Sequence, residues 1–270
     1  MVSKPQCTRE ELPEKQLIVS VGISKTSYGE VVALCRQWAA ERRQGKRNSA
    51  RFICVTSVHG VILAKDDPRI ANILNAADIA TPDGMPVVWA LRSFGSRGQQ
   101  RVYGPTLMLE LCRSAVENGH RLFLYGGRDE TLPLLEARLI ERFPGLIVAG
   151  RYSPPFRPLT ESEDEHVRTM IQASDADIVF VGIGTPKQED WMYAHRDCFP
   201  GVTLIGVGAA FDFHAGRNRQ APGWIQRRGL EWLFRLGSEP GRLWKRYILV
   251  TPRFLPLWAI QKWKSAQMAR

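Results

Sequence analysis

The chain has 270 residues, a formal net charge of +10 and 44% hydrophobic residues, which suits one large α/β domain or one such domain with an appendage. Its five cysteines are widely spaced without a C-x-x-C pair, so neither a zinc ribbon nor a disulfide framework is indicated. No apolar run reaches the length of about eighteen residues that a transmembrane helix needs, and the first sixteen residues lack the apolar core of a secretory signal. The sequence therefore predicts a cytoplasmic protein.

Predicted strands alternate with predicted helices through the first 208 residues. The strands, in chain order, are 17–23, 51–57, 78–82, 121–127, 146–150, 176–184 and 202–208. The helices are 27–43, 58–67, 68–78, 104–119, 130–145, 162–174 and 187–199. Strands separated by helices predict a mainly parallel sheet with helices on both faces. Ligands of such sheets bind beyond the carboxyl ends of the strands.

The last part of the chain has a different character. From residue 221 onward the pattern is helical only, and residues 215–270 hold twelve Lys or Arg, two Asp or Glu and five of the eight tryptophans. This segment therefore carries the whole net charge. Basic residues beside apolar ones at helical spacing are typical of a helix on an anionic bilayer, sometimes of a nucleic-acid-binding segment, and such an apolar face also serves to cap a core. We divide the chain into a body, residues 1–214, and a basic helical appendage, residues 215–270.

Three predicted strand ends combine glycine with polar groups. Their residues are Gly126, Gly127, Gly184, Lys187, Gln188, Glu189, Gly208, Phe211 and Asp212. Glycine lets the backbone approach a ligand closely, and the helix that follows offers free N–H groups to an anion. One such end is an ordinary βα turn, but three in one sheet favour a nucleotide diphosphate site. Their spacing fits neither G-x-G-x-x-G nor a Walker A loop, which argues against NAD and ATP hydrolysis.

Asp83 stands directly after a short predicted strand and before Gly84. A carboxylate in that position is a candidate general base, and an Asp-Gly pair is equally a common turn. Asp175 and Asp177 spell D-x-D, but they precede a strand, so we interpret them as a turn. The histidines show no metal-ligand spacing, so no bound metal is expected, although His59 could lie near the site.

Six segments carry a family resemblance in chain order. They are 81–92, 101–108, 122–127, 181–191, 206–222 and 229–247. They resemble the WecG/TagA/CpsF family of bacterial glycosyltransferases over roughly residues 50–255. The resemblance implies a Rossmann-like α/β fold of the glycosyltransferase-E type with a basic helical appendage. It also implies a metal-independent, cofactor-free enzyme that moves a sugar, with inversion, from a UDP-sugar to a polyprenyl-diphosphate-linked saccharide in cell-surface polysaccharide biosynthesis.

The same resemblance assigns roles to individual residues. Asp83 would deprotonate the acceptor hydroxyl, with Gln188 and Arg101 at the sugar and phosphate site. The implied donor-binding positions are Thr56, Ser57, Gly84, Gly104, Gly126, Gly127, Gly184, Lys187, Glu189, Gly208, Phe211 and Asp212. The appendage bases implied to close over the diphosphate at the membrane are Arg235, Arg242, Lys245 and Arg246. Ser57 replaces an asparagine that many members have, so the donor sugar is left open. Lys245 replaces an arginine, and lysine supplies the charge without the bidentate fork, so the diphosphate-binding role of this position is left open.

The expected partners are a UDP-sugar, a polyprenyl-diphosphate-linked acceptor and the inner face of the cytoplasmic membrane, and a homo-oligomer is left open. UDP-glucose, UDP-N-acetylmannosamine and its uronic acid all fit as donors. Two other functions compete with this prediction, namely another nucleotide-binding Rossmann-like transferase and a basic nucleic-acid-binding protein. Against nucleic acid, the bases are spread over broken amphipathic helices, and no recognition motif appears.

Overall fold

The computed structural model describes residues 12–268, except for the side chain of Arg242. The first eleven residues, which include Cys7 and most of the polar N-terminal stretch, lie outside the described part. At the centre is a six-stranded parallel sheet with the strand order β4-β3-β8-β7-β5-β6. Its strands are β3 (Arg51–Thr56), β4 (Ile79–Pro82), β5 (Arg121–Gly126), β6 (Ile147–Tyr152), β7 (Ile178–Gly182) and β8 (Thr203–Gly206).

Helices cover both faces of this sheet, and each face buries its own apolar cluster. On one face lie α2 (Val58–Asp66), α3 (Pro68–Ala76), α4 (Met85–Ser93), α7 (Glu161–Ala173) and α8 (Lys187–His195). On the other lie α1 (Tyr28–Arg43), α5 (Gly104–Asn118), α6 (Thr131–Arg142) and α9 (Ala210–His214). The predicted parallel sheet with helices on both faces is thus confirmed.

The predicted strand 17–23 is wrong in one respect. The chain forms an antiparallel hairpin there, β1 (Lys15–Ile18) and β2 (Val21–Ser24), which is separate from the main sheet. Val19 takes a left-handed φ of 59°, and the Ser20 N–H donates to the Ile18 carbonyl at 2.8 Å, which closes the turn. Both arms bury apolar side chains, and neither glycine nor proline marks the turn, so the sequence reads as one uninterrupted run.

The connections of the sheet diverge between β3 and β8. The chain leaves β3 into α2 on one face of the sheet and leaves the neighbouring strand β8 into α9 on the opposite face. Connections that diverge in this way leave a gap beyond the carboxyl ends of the two strands, where open α/β sheets bind their ligands. The loops after β3, β4, β7 and β8 are therefore the ones that position a site.

The appendage begins where the alternation of strands and helices stops. It contains α10 (Gly223–Arg227), α11 (Glu231–Ser238), α12 (Pro240–Trp244), a π-helical turn (Lys245–Val250), a 3-10 turn (Thr251–Arg253) and α13 (Phe254–Met268). Within the described part of the chain, no helix combines the length and the hydropathy that a bilayer crossing requires.

Polar contacts fasten the last helices of the appendage to the body. Arg253 makes two hydrogen bonds to the carboxylate of Asp66 on α2, both at 2.7 Å. The Trp258 Nε1–H donates to the Ser93 hydroxyl at 3.0 Å. Gln261 accepts from the Val19 N–H and donates to a backbone carbonyl of the hairpin, both at 2.8 Å. The appendage thus packs on the side of the body that carries α2, α4 and the hairpin.

Candidate active site

A cleft lies between the carboxyl ends of β3 and β4 and the middle of the appendage, residues 229–251. Asp83 and Gly84 follow β4 at its floor, and Ser57 and His59 follow β3 at one side. The appendage contributes further lining residues, among them Glu231, Trp232, Arg235, Arg246 and Tyr247. The fold therefore brings the body and the basic appendage together around the predicted base.

Asp83 is held by one arginine. Its N–H donates to the Thr56 carbonyl at 3.0 Å, which fixes the backbone at the end of β4. Arg101 donates from Nε at 3.0 Å and from Nη2 at 2.8 Å, and both bonds reach the same oxygen, Oδ1. The guanidinium also lies 4.0 Å from the centre of the Tyr103 ring. Arg101 is thereby clamped over an aromatic face with one edge turned to the carboxylate.

The third contact of Arg101 leads to the appendage. Its Nη1 donates to Oε2 of Glu231, the first residue of α11, at 2.7 Å. The Glu231 side chain is 10% exposed, and those of Arg101 and Asp83 are 16% and 18% exposed. One guanidinium is thus shared by two carboxylates that come from different parts of the chain.

Burial decides the protonation behaviour of Asp83. Removal from water raises the pKa of the Asp83 carboxyl above its ordinary value and Glu231 adds to this, although Arg101 and Arg235 oppose it. For Arg101, burial disfavours the charge, but the two carboxylates hold the pKa of the guanidinium above its ordinary value. The result is a permanently charged arginine beside a carboxylate that is more basic than a solvated one.

Further cations of the appendage stand around this pair. Arg246 donates from Nη2 to the Ser57 hydroxyl at 3.2 Å, so the structure joins two predicted site residues. The Arg235 guanidinium lies 5.5 Å from the ring centre of Phe213 and contributes its charge at Asp83. Lys245 is exposed and lies beside Trp244, away from these contacts. The fourth predicted base, Arg242, has a side chain outside the described part.

A second polar group lies beneath the ends of β7 and β8. Gln188 donates to Oε1 of Glu189 at 3.0 Å, and the Thr185 hydroxyl donates to the same oxygen at 3.0 Å. The side-chain oxygen of Gln188, Oε1, accepts from the Gly208 N–H at 3.1 Å. Both side chains are almost fully buried, and this burial raises the pKa of the Glu189 carboxyl. Gln188 therefore fixes the loop after β8, and burial makes the charged form of Glu189 less favourable than it is in water.

Several predicted donor-binding residues lie in the packed interior. The Phe211 ring is buried and packs over Gly182, where an added Cβ would approach it to 2.7 Å. Thr56 is buried, and its hydroxyl donates to the Cys54 carbonyl at 3.1 Å. For Asp212 the backbone carbonyl accepts two N–H groups from the loop after α9. Phe211 and Thr56 therefore shape the crevice by packing, and any contact with a donor stays a prediction.

The remaining predicted glycines differ in what surrounds them. Gly184 has φ +81° and open space where a Cβ would stand, and Lys187 is exposed just beyond it at the first position of α8. Gly104 is packed close to β3 and the Val207 carbonyl, and Gly127 lies near the Phe211 ring. Gly184 and Lys187 thus stand open to a ligand, as does Gly84 in the cleft, where nothing lies within 4 Å of an added Cβ.

The D-x-D segment forms a structural turn, as its position predicts. Asp177 is buried at the amino edge of the sheet, where it accepts the Arg121 N–H at 2.9 Å and pairs with Arg43 at 3.0 Å. Asp175 takes a left-handed φ of 51°. Across residues 12–268, no group of three or more His, Cys, Asp or Glu side chains is placed to hold a metal ion. Metal independence stays a prediction.

Glu231 and Tyr103 escape prediction from the sequence. The available signal for Glu231 is that residues 215–270 contain only two acidic residues beside twelve basic ones. An acidic residue in so basic a segment indicates a specific ion pair. Tyr103 follows Arg101 by two residues, the spacing that places both side chains on one side of an extended segment. Both lie inside segments that carry the family resemblance.

Known proteins resemble the chain along most of its length. A model of the glycosyl transferase WecG/TagA/CpsF family matches residues 16–268. The N-acetylglucosaminyldiphosphoundecaprenol N-acetyl-beta-D-mannosaminyltransferase of Bacillus spizizenii is 32% identical over 209 residues, which cover 77% of this chain and 79% of that protein. The protein of the same name from Bacillus subtilis is 30% identical over 201 residues, which cover 71% and 76%. The chain therefore belongs to the WecG/TagA/CpsF family of glycosyltransferases.

Proposed function

We propose that the protein transfers a sugar from a UDP-sugar to a polyprenyl-diphosphate-linked saccharide, with inversion at the anomeric carbon. The observation that carries this proposal is the Asp83 carboxylate at the floor of a cleft roofed by a basic, tryptophan-rich appendage. The two relatives support the acceptor class, since their names give an N-acetylglucosaminyl diphosphoundecaprenol acceptor and an N-acetylmannosaminyl donor group.

Asp83 is suited to act as the base. Both Arg101 bonds fall on Oδ1, and no described residue hydrogen-bonds Oδ2. Oδ2 is therefore available to take the proton of the acceptor hydroxyl while the hydroxyl oxygen attacks the anomeric carbon. The bond from that carbon to the diphosphate oxygen breaks in the same step, and UDP leaves on the opposite face of the sugar. A base in position contributes about 10²- to 10⁴-fold in rate.

The leaving diphosphate gains negative charge during this step. Arg235 and Arg246 line the same cleft from the appendage and are suited to stabilise that charge. We propose that these guanidinium groups take the part that a divalent metal takes in other nucleotide-sugar enzymes. Transfer should then persist in EDTA, and a strict requirement for Mg²⁺ or Mn²⁺ would contradict this.

The surface of the appendage supports a peripheral position at the inner face of the cytoplasmic membrane. Among the described residues, eleven of the eighteen exposed large hydrophobic side chains belong to it. Trp244, Ile248 and Leu255 are each about half exposed, and they lie on α12, the π-helical turn and α13 in turn. Exposed bases such as Lys262 and Lys264 flank them along the chain. Apolar residues beside bases bind anionic bilayers through both burial and charge.

The membrane proposal is tested with vesicles. Each of these three side chains would bury on the order of 100 Å² on docking, or roughly 2 kcal/mol. The triple variant Trp244→Gln, Ile248→Gln, Leu255→Gln should weaken sedimentation with phosphatidylglycerol vesicles by at least about 100-fold. Leu134→Gln, an equally exposed position on α6, is the matched control and should bind normally. Unchanged sedimentation of the triple variant would show that this surface does not dock.

The donor class is tested by ligand binding and by transfer. UDP should raise the melting temperature of the purified protein, whereas S-adenosylmethionine and NAD should not. A panel of UDP-sugars, with UDP-N-acetylmannosamine first, is then offered with a short-chain polyprenyl-diphosphate N-acetylglucosamine acceptor. Stabilisation by S-adenosylmethionine or NAD alone would identify another class of Rossmann-like enzyme.

A further inference from the structure

The guanidinium of Arg101 makes three hydrogen bonds, which are divided unequally between two carboxylates. Two bonds converge on one oxygen of Asp83, and the third goes to Glu231. The usual arrangement of an arginine with a single carboxylate is a fork, in which two parallel N–H groups bond both oxygens. Here Glu231 occupies Nη1, and Asp83 is bonded through Oδ1 only.

Glu231 is well placed to hold this arrangement. It is buried, it begins α11, and its oxygen approaches Arg101 to 2.7 Å. The Tyr103 ring fixes the plane of the guanidinium from one side. With Glu231 in place, the guanidinium is anchored on two sides in an orientation that leaves the second oxygen of Asp83 without a bond. Without it, Nη1 would lose its partner, and the guanidinium could turn until two of its parallel N–H groups engage both oxygens of Asp83.

We propose that Glu231 is a positioning residue for the transfer reaction, because it holds Arg101 so that Asp83 keeps one carboxylate oxygen free for the acceptor hydroxyl. This inference rests on the proposed role of Asp83 as the base. Glu231 itself touches Arg101 and needs no contact with substrate.

The charges around Asp83 predict a measurable consequence. The groups that act on it most directly are Arg101, Glu231 and Arg235, with the phenols of Tyr28 and Tyr103 nearby. His59 and Arg246 line the same cleft from the other side. Burial raises the pKa of Asp83, and the negative charge of Glu231 raises it further, whereas the two arginines lower it. Loss of the Glu231 charge should therefore lower that pKa, and a tighter bond from Arg101 would lower it more.

The test is the pH dependence of kcat/KM for Glu231→Gln. The base must be deprotonated, so activity falls as the pH drops through its pKa, and this acid limb should move to lower pH by at least about 0.5 unit in the variant. The plateau kcat should fall by roughly tenfold, because a less basic carboxylate with a more tightly held oxygen is a weaker proton acceptor. Glu231→Asp, which keeps the charge, should return the limb toward its original position.

The matched control is Glu117→Gln. Glu117 is exposed near the end of α5, which starts at the carboxyl edge of the sheet and runs roughly 20 Å to the opposite edge. Its loss removes the same charge and should leave the profile unchanged. If Glu231→Gln loses activity while its acid limb coincides with that of the wild type, Glu231 is only a structural contact and the inference is wrong. Should the glutamine variant fail to fold, the aspartate variant decides, since the inference requires it to keep the wild-type limb and most of the turnover.

Asp83→Asn separates this inference from the proposed function. If that variant keeps near-normal turnover with an unaltered acid limb, Asp83 is not the base, and both proposals fall. If it is inactive while Glu231→Gln has a wild-type profile, the base assignment stands and only the role of Glu231 is refuted.

Discussion

Replacement of Asp83 by asparagine changes one oxygen of a mostly buried carboxylate to an amide nitrogen and leaves the side-chain volume the same. Oδ1 keeps both Arg101 hydrogen bonds, and the new NH₂ group takes the place of Oδ2, which bonds to no described residue. Because burial raises the pKa of Asp83, its charged form is less favourable in the folded than in the unfolded protein. Removal of that charge should therefore leave the free energy of unfolding within about 1 kcal/mol of the wild type.

The effect on turnover should be far larger. An amide cannot take the acceptor proton, and the loss of a positioned base typically costs about 10²- to 10⁴-fold in rate, or roughly 3 to 5 kcal/mol in activation free energy. The arginines of the cleft remain, so binding of UDP should change little. The predicted signature is a large loss of kcat with a normal melting temperature and normal UDP affinity.

The assay is the initial rate of sugar transfer to a short-chain polyprenyl-diphosphate N-acetylglucosamine, with unfolding and UDP titration on the same preparations. Asp197→Asn, at a highly exposed site after α8, is the matched control and should have wild-type rates. A purified Asp83→Asn protein that turns over within about threefold of the wild type would refute the reasoning.

Two further substitutions test the packing and electrostatics that support the site. Gly126→Ala should destabilise the fold by more than about 2 kcal/mol in denaturant unfolding, because its Cβ would stand 2.6 Å from the Gly182 backbone at a φ of +122°, whereas Gly29→Ala on α1, with open space around it, should be neutral or stabilising. Burial, and secondly the charge of Arg246, lower the pKa of His59 to about 4 in the folded protein. Between about pH 6.5 and pH 4 the unfolded chain therefore binds a proton at His59 that the folded protein does not bind, and stability falls as the pH drops. His59→Gln should therefore lose less stability than the wild type on acidification, by roughly 3 kcal/mol at pH 4 in unfolding experiments, and parallel curves would contradict this.

The sequence determines the layered fold well because burial leaves a clear pattern. The strands of the parallel sheet are buried on both faces, so they appear as apolar runs such as 178–182 and 203–206. The order of the strands in the sheet is not predictable in this way, because it depends on which face of the sheet each connecting helix covers. Periodicity carries no information about that choice.

The misses have physical causes as well. No helix is predicted between residues 83 and 103, yet α4 spans Met85–Ser93. Its apolar residues are nearly continuous, because α4 is buried along much of its surface and lacks a clear helical period. The hairpin at 15–24 is not recognisable in the sequence for a related reason. Both of its strands bury apolar residues in the same core, so the two strands appear as one apolar run.

At the candidate site, the sequence places those residues whose position follows from a strand end, and their roles stay predictions. Asp83 and Ser57, which follow β4 and β3, line the same cleft. Gln188, which follows β7, is buried and bonds to the loop after β8 instead. Prediction misses Glu231, since it meets Arg101 across 130 residues of chain and only the docking of α11 creates that contact. Long-range ion pairs of this kind leave no local signature.

The central claim is sugar transfer to a lipid-linked diphosphate acceptor, and product analysis tests it most directly. The purified protein is incubated with UDP-N-acetylmannosamine and a short-chain polyprenyl-diphosphate N-acetylglucosamine, and the lipid product is examined by mass spectrometry and NMR. The account predicts one added sugar per acceptor, one UDP released per transfer and an inverted anomeric configuration; if this donor is inactive, another UDP-sugar of the panel should give the same result. Absence of a glycosylated lipid with every donor, or a product that retains the donor's configuration, would contradict the account.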